Sequence, residues 1–154
     1  MAPFKSILVP VDFSKSSQRA LETGCELSKT FQIPLTLFHA YVIPTYPLPE
    51  GFVLPSPEAV TEIMDKTQRA MNDMRDLAAK MGAKNVEAVI SEGVAFAEIV
   101  RVARERNVDL IVMGTHGRTG LKHALLGSVA EKVVRKAPCP VLTVRLAGHE
   151  FEHP

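Results

Sequence analysis

Short apolar runs of strand length alternate with amphipathic stretches of helix length along the whole chain, and this alternation restricts the fold more than any single residue does. Strand character marks residues 6–11, 35–40, 86–91, 109–113 and 141–145. Between them, Ser14 is placed to cap a helix whose inward stripe is Ala20, Leu21, Gly24, Leu27, Ser28 and Phe31. Ser56 and Pro57 suit the N-cap and N1 positions of a long helix with Val60, Ile63, Met64, Met71, Met74, Leu77 and Met81 inward, ended by Gly82. Residues 95–106 show a third stripe, Phe96, Ile99, Val100 and Ala103. Leu126, Val129, Ala130, Val133, Val134 and Ala137 show a fourth. The run 109–113 is apolar on successive positions, as a strand buried on both faces requires. Parallel strands joined by helices need right-handed crossovers, so the pattern predicts an α/β fold: an open, Rossmann-like, five-stranded parallel sheet with helices on both faces. A chain of 154 residues has room for one domain, expected over 1–146, with 147–154 as a flexible tail.

One connection stands out. Residues 41–57 hold five prolines in seventeen positions and are longer than most links in a compact domain, which suggests a lid over a nearby site.

Between the fourth strand and the last helix lies Gly114-x2-Gly117-x9-Gly127-Ser128. Glycines there let backbone N–H groups approach an anion, and a helix opening at Gly127-Ser128 presents further unpaired donors at its positive end. The segment therefore reads as a phosphate cradle. It is not a Walker loop, because no Gly-Lys-Ser/Thr follows at the needed distance. Nor is it the dinucleotide fingerprint, since Gly114, Gly117 and Gly120 are each separated by two residues.

The full glycine pattern resembles the universal stress proteins, and in particular the ATP-binding branch of that family. The likeness extends to Ile7-Leu8-Val9-Pro10-Val11-Asp12-Phe13-Ser14, to Leu37-Phe38-His39-Ala40 and to Ala137-Pro138-Cys139-Pro140-Val141-Leu142. It implies an adenine nucleotide alpha hydrolase-like sheet of strand order 3-2-1-4-5, whose ligand crevice lies at the carboxyl ends of strands one and four, where the order reverses. It also implies ATP as the bound nucleotide. Pro10 and Val11 would wall the adenine, the backbone of Ala40 would read its edge, and Asp12 would meet the ribose or help hold a magnesium ion. Gly114, His116, Gly117, Arg118, Gly127 and Ser128 would surround the phosphates, and Met113 and Val129 would also line the nucleotide site. Further implications are a homodimer through strand 141–145 and a cytoplasmic stress-response or signalling role that depends on nucleotide.

Each of these residues also has a plain structural role open to it. Asp12 could serve a helix start, Ser128 could be an N-cap-type hydroxyl, and Arg118 could be a solvated loop charge. His39, on a strand, reads as a structural histidine. The motif His149-Glu150-Phe151-Glu152-His153 matches a zinc-protease pattern, but it lies between Gly148 and the terminal Pro154, with no stable helix to hold it.

Bulk properties exclude broader classes. A net charge of +1 gives no global field to recruit nucleic acid or an anionic membrane, and no run approaches the ~18 apolar residues of a membrane span. Cys25 and Cys139 form no disulfide framework or Cys-x-x-Cys motif, which suits a reducing cytoplasm. No general base or phosphate-binding lysine is identifiable, so no catalytic residue is assigned and at most slow ATP hydrolysis is expected. The competing readings are an adenine-nucleotide enzyme, including a slow ATPase, and a nucleotide-free structural dimer.

Overall fold

The structure, a computed structural model, describes residues 3–117 and 126–146; Arg118 and the expected tail 147–154 lie outside them. The chain runs β1 (Ile7–Pro10), α1 (Lys15–Phe31), β2 (Pro34–Tyr41), β3 (Tyr46–Leu48), β4 (Gly51–Val53), α2 (Pro57–Lys80), β5 (Lys84–Glu92), α3 (Ala95–Glu105), β6 (Leu110–Gly114), α4 (Ser128–Lys136) and β7 (Val141–Val144). Five strands form one sheet in the order β5-β2-β1-β6-β7, and all its pairings are parallel. With β3 and β4 set aside, this is the expected order 3-2-1-4-5.

Side chains alternate across the sheet, as the period of two demands. Ile7, Val9, Leu35, Leu37, Leu110 and Val112 pack with Ala20, Leu21 and Cys25 of α1 and with Met71 and Ala78 of α2. Leu8, Phe38, Ile111 and Met113 face the other way, against Ile99, Val102 and Ala103 of α3 and Ala130 and Val133 of α4. Helices thus cover both faces. Burial of Cys25 pushes its thiol up to about 11, which leaves it a small core residue rather than a nucleophile.

Helix starts follow the local sequence. Ser14 Oγ accepts from Ser17 N–H at 3.2 Å and Ser56 Oγ from Ala59 N–H at 3.2 Å, with Pro57 as the first residue of α2. Three helical expectations need correction. On α2, Ile63 and Leu77 are exposed and only Met71 and Ala78 are buried, because at helical spacing Ile63 and Leu77 lie on the flank of the stripe centred on Met71 and Ala78. On α4, Val129 and Val134 are exposed while Ala130 and Val133 are buried. Ser128 is not an N-cap: Gly127 holds that position with extended φ −67° and ψ 160°, and Ser128 begins the helix.

The segment 41–57 also differs from expectation. It contains an antiparallel hairpin, β3 with β4, in the register Tyr46↔Val53, Pro47↔Phe52 and Leu48↔Gly51. The proline density is compatible with a ladder because Pro47 sits on the strand's outer side.

Candidate functional site

β1 and β6 are neighbours, yet their following segments diverge, that of β1 into α1 and that of β6 toward α4. A cavity of about 310 Å³ opens in this gap at the carboxyl ends of the strands. The topology dictates its position, since two crossovers leave the sheet in opposite directions there.

The walls are drawn from six elements, β1, α1, β2, α3, β6 and α4. From β1 and its exit come Pro10, Val11 and Asp12; from β2 come Phe38 and Ala40. Met113 and Gly114 end β6 and continue into Thr115, His116 and Gly117, while Gly127, Ser128 and Val129 close the far side at the start of α4. Eleven of the twelve expected site residues therefore line one cavity, and the twelfth, Arg118, lies outside the described residues. Ser17, Phe38, Ala95, Ile99, Thr115 and Ala130 also line it and were not anticipated. Phe38, Ile99 and Ala130 read as core, which they are; the same side chains serve both the core and the wall. Thr115 adjoins Gly114, and its proximity to the glycine was the available signal.

The glycines are required by space. A Cβ on Gly114 would collide with Ser16 Oγ and lie 2.9 Å from the backbone C and O of Ser16. At Gly127 it would sit 3.0 Å from the carbonyl oxygen of Thr115, and at Gly117 it would come within 2.8 Å of Asp12 Oδ2. Gly114 thus lets α1 touch β6, Gly127 lets α4 start against the β6 exit, and Gly117 brings the loop backbone up to the Asp12 carboxylate. A sequence reading of these glycines as anion approach alone missed the first two roles.

Hydrogen bonds lock the β1 exit. Val11 N–H donates to Phe38 carbonyl oxygen at 2.8 Å, and His39 Nδ1 lies 2.7 Å from the Val11 carbonyl oxygen, so the buried imidazole is held as a structural histidine. Asp12 N–H donates to Ser17 Oγ at 3.3 Å, and Asp12 Oδ1 accepts from Ser14 N–H at 3.0 Å. The carboxylate therefore fills its helix-start role with one oxygen and turns the other toward Gly117. Phe13 takes a left-handed φ of 64° at this bend, with its ring 4.7 Å from that of His39. On the opposite side, Gly127 N–H donates to Thr115 carbonyl oxygen at 2.6 Å, Thr115 Oγ1 lies 3.0 Å from His116 Nδ1, and His116 N–H reaches Ser16 Oγ at 3.4 Å.

Chemically the cavity has two ends. Val11, Phe38, Ile99 and Met113 make one end apolar. The other is bounded by backbone at 115–117 and by α4, whose N-cap is a glycine without a side-chain acceptor for the first-turn amides. Between them, the alternation of a parallel ladder turns the N–H and C=O of Ala40 toward the side of β1, because Phe38 bonds Val11 there while Tyr41 bonds Gly93 on the other side. At Ala40 β1 has already left the sheet. Such a space suits a ligand with a flat apolar body, an edge that hydrogen-bonds and an anionic tail.

Among the described residues, no three His, Cys, Asp or Glu side chains group to hold a metal ion. No helix among them is long and apolar enough to cross a membrane.

Residues 3–145 match the Universal stress protein family. The chain belongs to that family. Universal stress protein MJ0531 of Methanocaldococcus jannaschii is 36% identical over 143 residues, covering 92% of this chain and 82% of that protein. The solved structure of MJ0577, a universal stress protein of the same organism, superposes with a TM-score of 0.79 at 28% identity and covers 96% of this chain and 99% of its own. A universal stress protein solved in complex with cAMP superposes with a TM-score of 0.68 at 25% identity, covering 94% and 98%.

Proposed function

We propose that the cavity of this universal stress protein binds an adenine nucleotide, with ATP as its ligand, and that the protein is a cytoplasmic stress-response or signalling module whose state follows that nucleotide. The observation that carries this reading is the cavity between β1 and β6, apolar beside Phe38, Ile99 and Met113 and bounded on another side by Gly117 and the start of α4. The adenine would lie against Pro10, Val11 and Met113 with its edge on the Ala40 backbone. Asp12 would take the ribose hydroxyls through the oxygen that faces Gly117. Backbone amides of Gly114 and Gly117, those of Ser128 and Val129 at the start of α4, and the Ser128 hydroxyl would receive the phosphates, with the His116 and Arg118 side chains approaching from the loop. The relative solved with cAMP is itself an adenine-nucleotide complex and supports the ligand class.

The reading includes a homodimer through β7, the terminal strand of the sheet. Ile111 N–H bonds Pro140 and Thr115 N–H bonds Val144, so the parallel ladder uses alternate residues and leaves the backbone of Val141 and Thr143 on the free edge. Those groups are available to a second β7 across a two-fold axis.

Chromatography of the small molecules released by denaturing freshly purified protein, followed by calorimetry with ATP, AMP and cAMP on emptied protein, tests the ligand. The expected result is released adenine nucleotide and saturable ATP binding with one site per chain. Absence of heat and of any thermal shift with all three nucleotides would remove the proposal. ATP turnover by the same preparation, lost in Asp12→Ala and Ser128→Ala, would instead favour an enzyme.

A further inference from the structure

The connection from β2 to α2 presents the largest uncovered apolar surface of the described residues. β3 and β4 pair only with each other, and all six of their residues are exposed. Val42, Tyr46, Leu48, Phe52, Val53 and Leu54 stand in solvent, Phe52 at 76% exposure. Tyr46, Leu48 and Val53 share one face of the hairpin and Phe52 points to the other, so the exposed apolar area, on the order of 600 Å² in all, is divided between two faces. Covered together, both faces approach the ~800 Å² each partner gives to a stable interface. A two-stranded hairpin alone in water is marginal, so this one needs a covering surface.

Composition and backbone select the occupant. Apart from the tyrosine hydroxyl, Glu50 at the turn is the only ionisable group in residues 42–57, a composition that matches the apolar interfaces of homodimers better than the polar ones of transient partners. Pro47 has no N–H, so the ladder bonds must fall at Tyr46/Val53 and Leu48/Gly51, and the backbone of Pro47 and Phe52 must face outward. The outer edge of β3 is therefore blocked by proline, whereas the outer edge of β4 offers both N–H and C=O of Phe52. We propose that β4 pairs antiparallel with β4 of a second copy about Phe52, joining two hairpins into a four-stranded ribbon whose apolar faces lie against the two protomers. This contact is separate from β7, which borders the far end of the sheet from β5. Two isologous contacts whose two-fold axes intersect at right angles close into a tetramer of dihedral symmetry, the arrangement assigned to these two.

Sedimentation analysis of the full chain at about 100 μM resolves the two contacts in one mutant cycle, since two subunits joined at that concentration require a dissociation constant well below it. Phe52→Pro removes the outward N–H without touching the ladder bonds of the hairpin, and Thr143→Pro does the same at β7. The expected masses are tetramer for the parent, dimer for each single variant and monomer for the double. Phe52→Glu keeps the N–H but sets like charges face to face across the axis, and is expected to halve the mass as Phe52→Pro does. A parent mass unaltered by both Phe52 variants would overturn the proposal. So would a hairpin whose amides become protected on ATP addition in a monomer, which would make the cavity of its own chain the occupant. If Thr143→Pro leaves the mass unaltered while the Phe52 variants halve it, the β7 contact fails and the hairpin contact stands.

Discussion

Two connections leave the sheet side by side at the cavity, and they are built in opposite ways. The one after β1 spans residues 11–14 and is tied at every step: Val11 to Phe38, Asp12 to Ser14 and Ser17, and Ser14 to the first turn of α1. The one after β2 spans residues 42–56 and spends its apolar side chains on solvent. A site wall needs fixed geometry, which a short link bonded to its neighbours supplies; a long link needs surface from elsewhere to become fixed. The difference teaches that rigidity at this cavity comes from backbone contact between elements, and the glycines are where that contact is closest.

The largest expected effect breaks the rigid side. Gly114→Val would push a side chain into the backbone of Ser16, which sits in the first turn of α1 and has no room to retreat. Denaturant unfolding should show a loss of about 3 kcal/mol or more, in the range of severe overpacking. Stability near that of the parent would show that the seam between α1 and β6 can open, and the contrast between the two connections would lose its basis.

Gly117→Val separates binding from folding. Its Cβ would meet only the tip of the Asp12 side chain, so the unfolding midpoint should change little, while ATP affinity should fall by at least about 100-fold, or ~3 kcal/mol. Gly127→Val should lose binding as well, with some loss of stability because its neighbour is the Thr115 backbone. Parent-like affinity in both variants would remove the phosphate assignment.

Asp12→Ala should act more weakly. It deletes the contact offered to the ribose but leaves the backbone donors in place, so affinity should drop by about 10-fold, the scale of one hydrogen bond to a charged group. Stability should fall by about 1 kcal/mol, because Ser14 N–H loses its acceptor. A larger effect on ATP than that of Gly117→Val would shift the anchoring of the nucleotide from backbone to carboxylate.

The same contrast explains what could be read from the residues alone. The alternation of strands and helices and the glycine loop were legible from periodicity and spacing, whereas the sheet order and the wall positions Pro10, Val11, Asp12 and Ala40 followed from the resemblance to the universal stress proteins. Phe38 and Ile99 were missed as wall residues because burial in a core and lining of a cavity leave the same apolar signature. The hairpin was missed because proline within a run argues against a strand, and only the register shows that Pro47 costs the ladder no bond. The exposed flank of α2 was misread for a related reason: Ile63 and Leu77 keep helical periodicity, but periodicity does not tell how wide a stripe of the helix the sheet covers.

The smallest effect concerns the third rim of the cavity, where α3 carries Ala95 and Ile99 into the wall. Glu98, one turn in, accepts from Arg101 at 2.6 Å and from Ser91 of β5 at 2.6 Å, which ties the start of α3 to the sheet. The Arg101 guanidinium first, and the Ser91 hydroxyl second, hold the Glu98 carboxyl below its ordinary value of 4.5. A carboxyl depressed in the folded state stabilises it above the unfolded value, and that contribution disappears as pH falls from about 4.5 through the lower folded value. Glu98→Gln should therefore lower Tm at pH 7, by on the order of 2 °C at most because the pair is solvent-screened, and parent and variant should converge near pH 3. A Tm difference that stays constant from pH 7 to pH 3 would assign the effect to the neutral hydrogen bond with Ser91. In that case α3, like the β1 exit, is held by local hydrogen bonds rather than by charge.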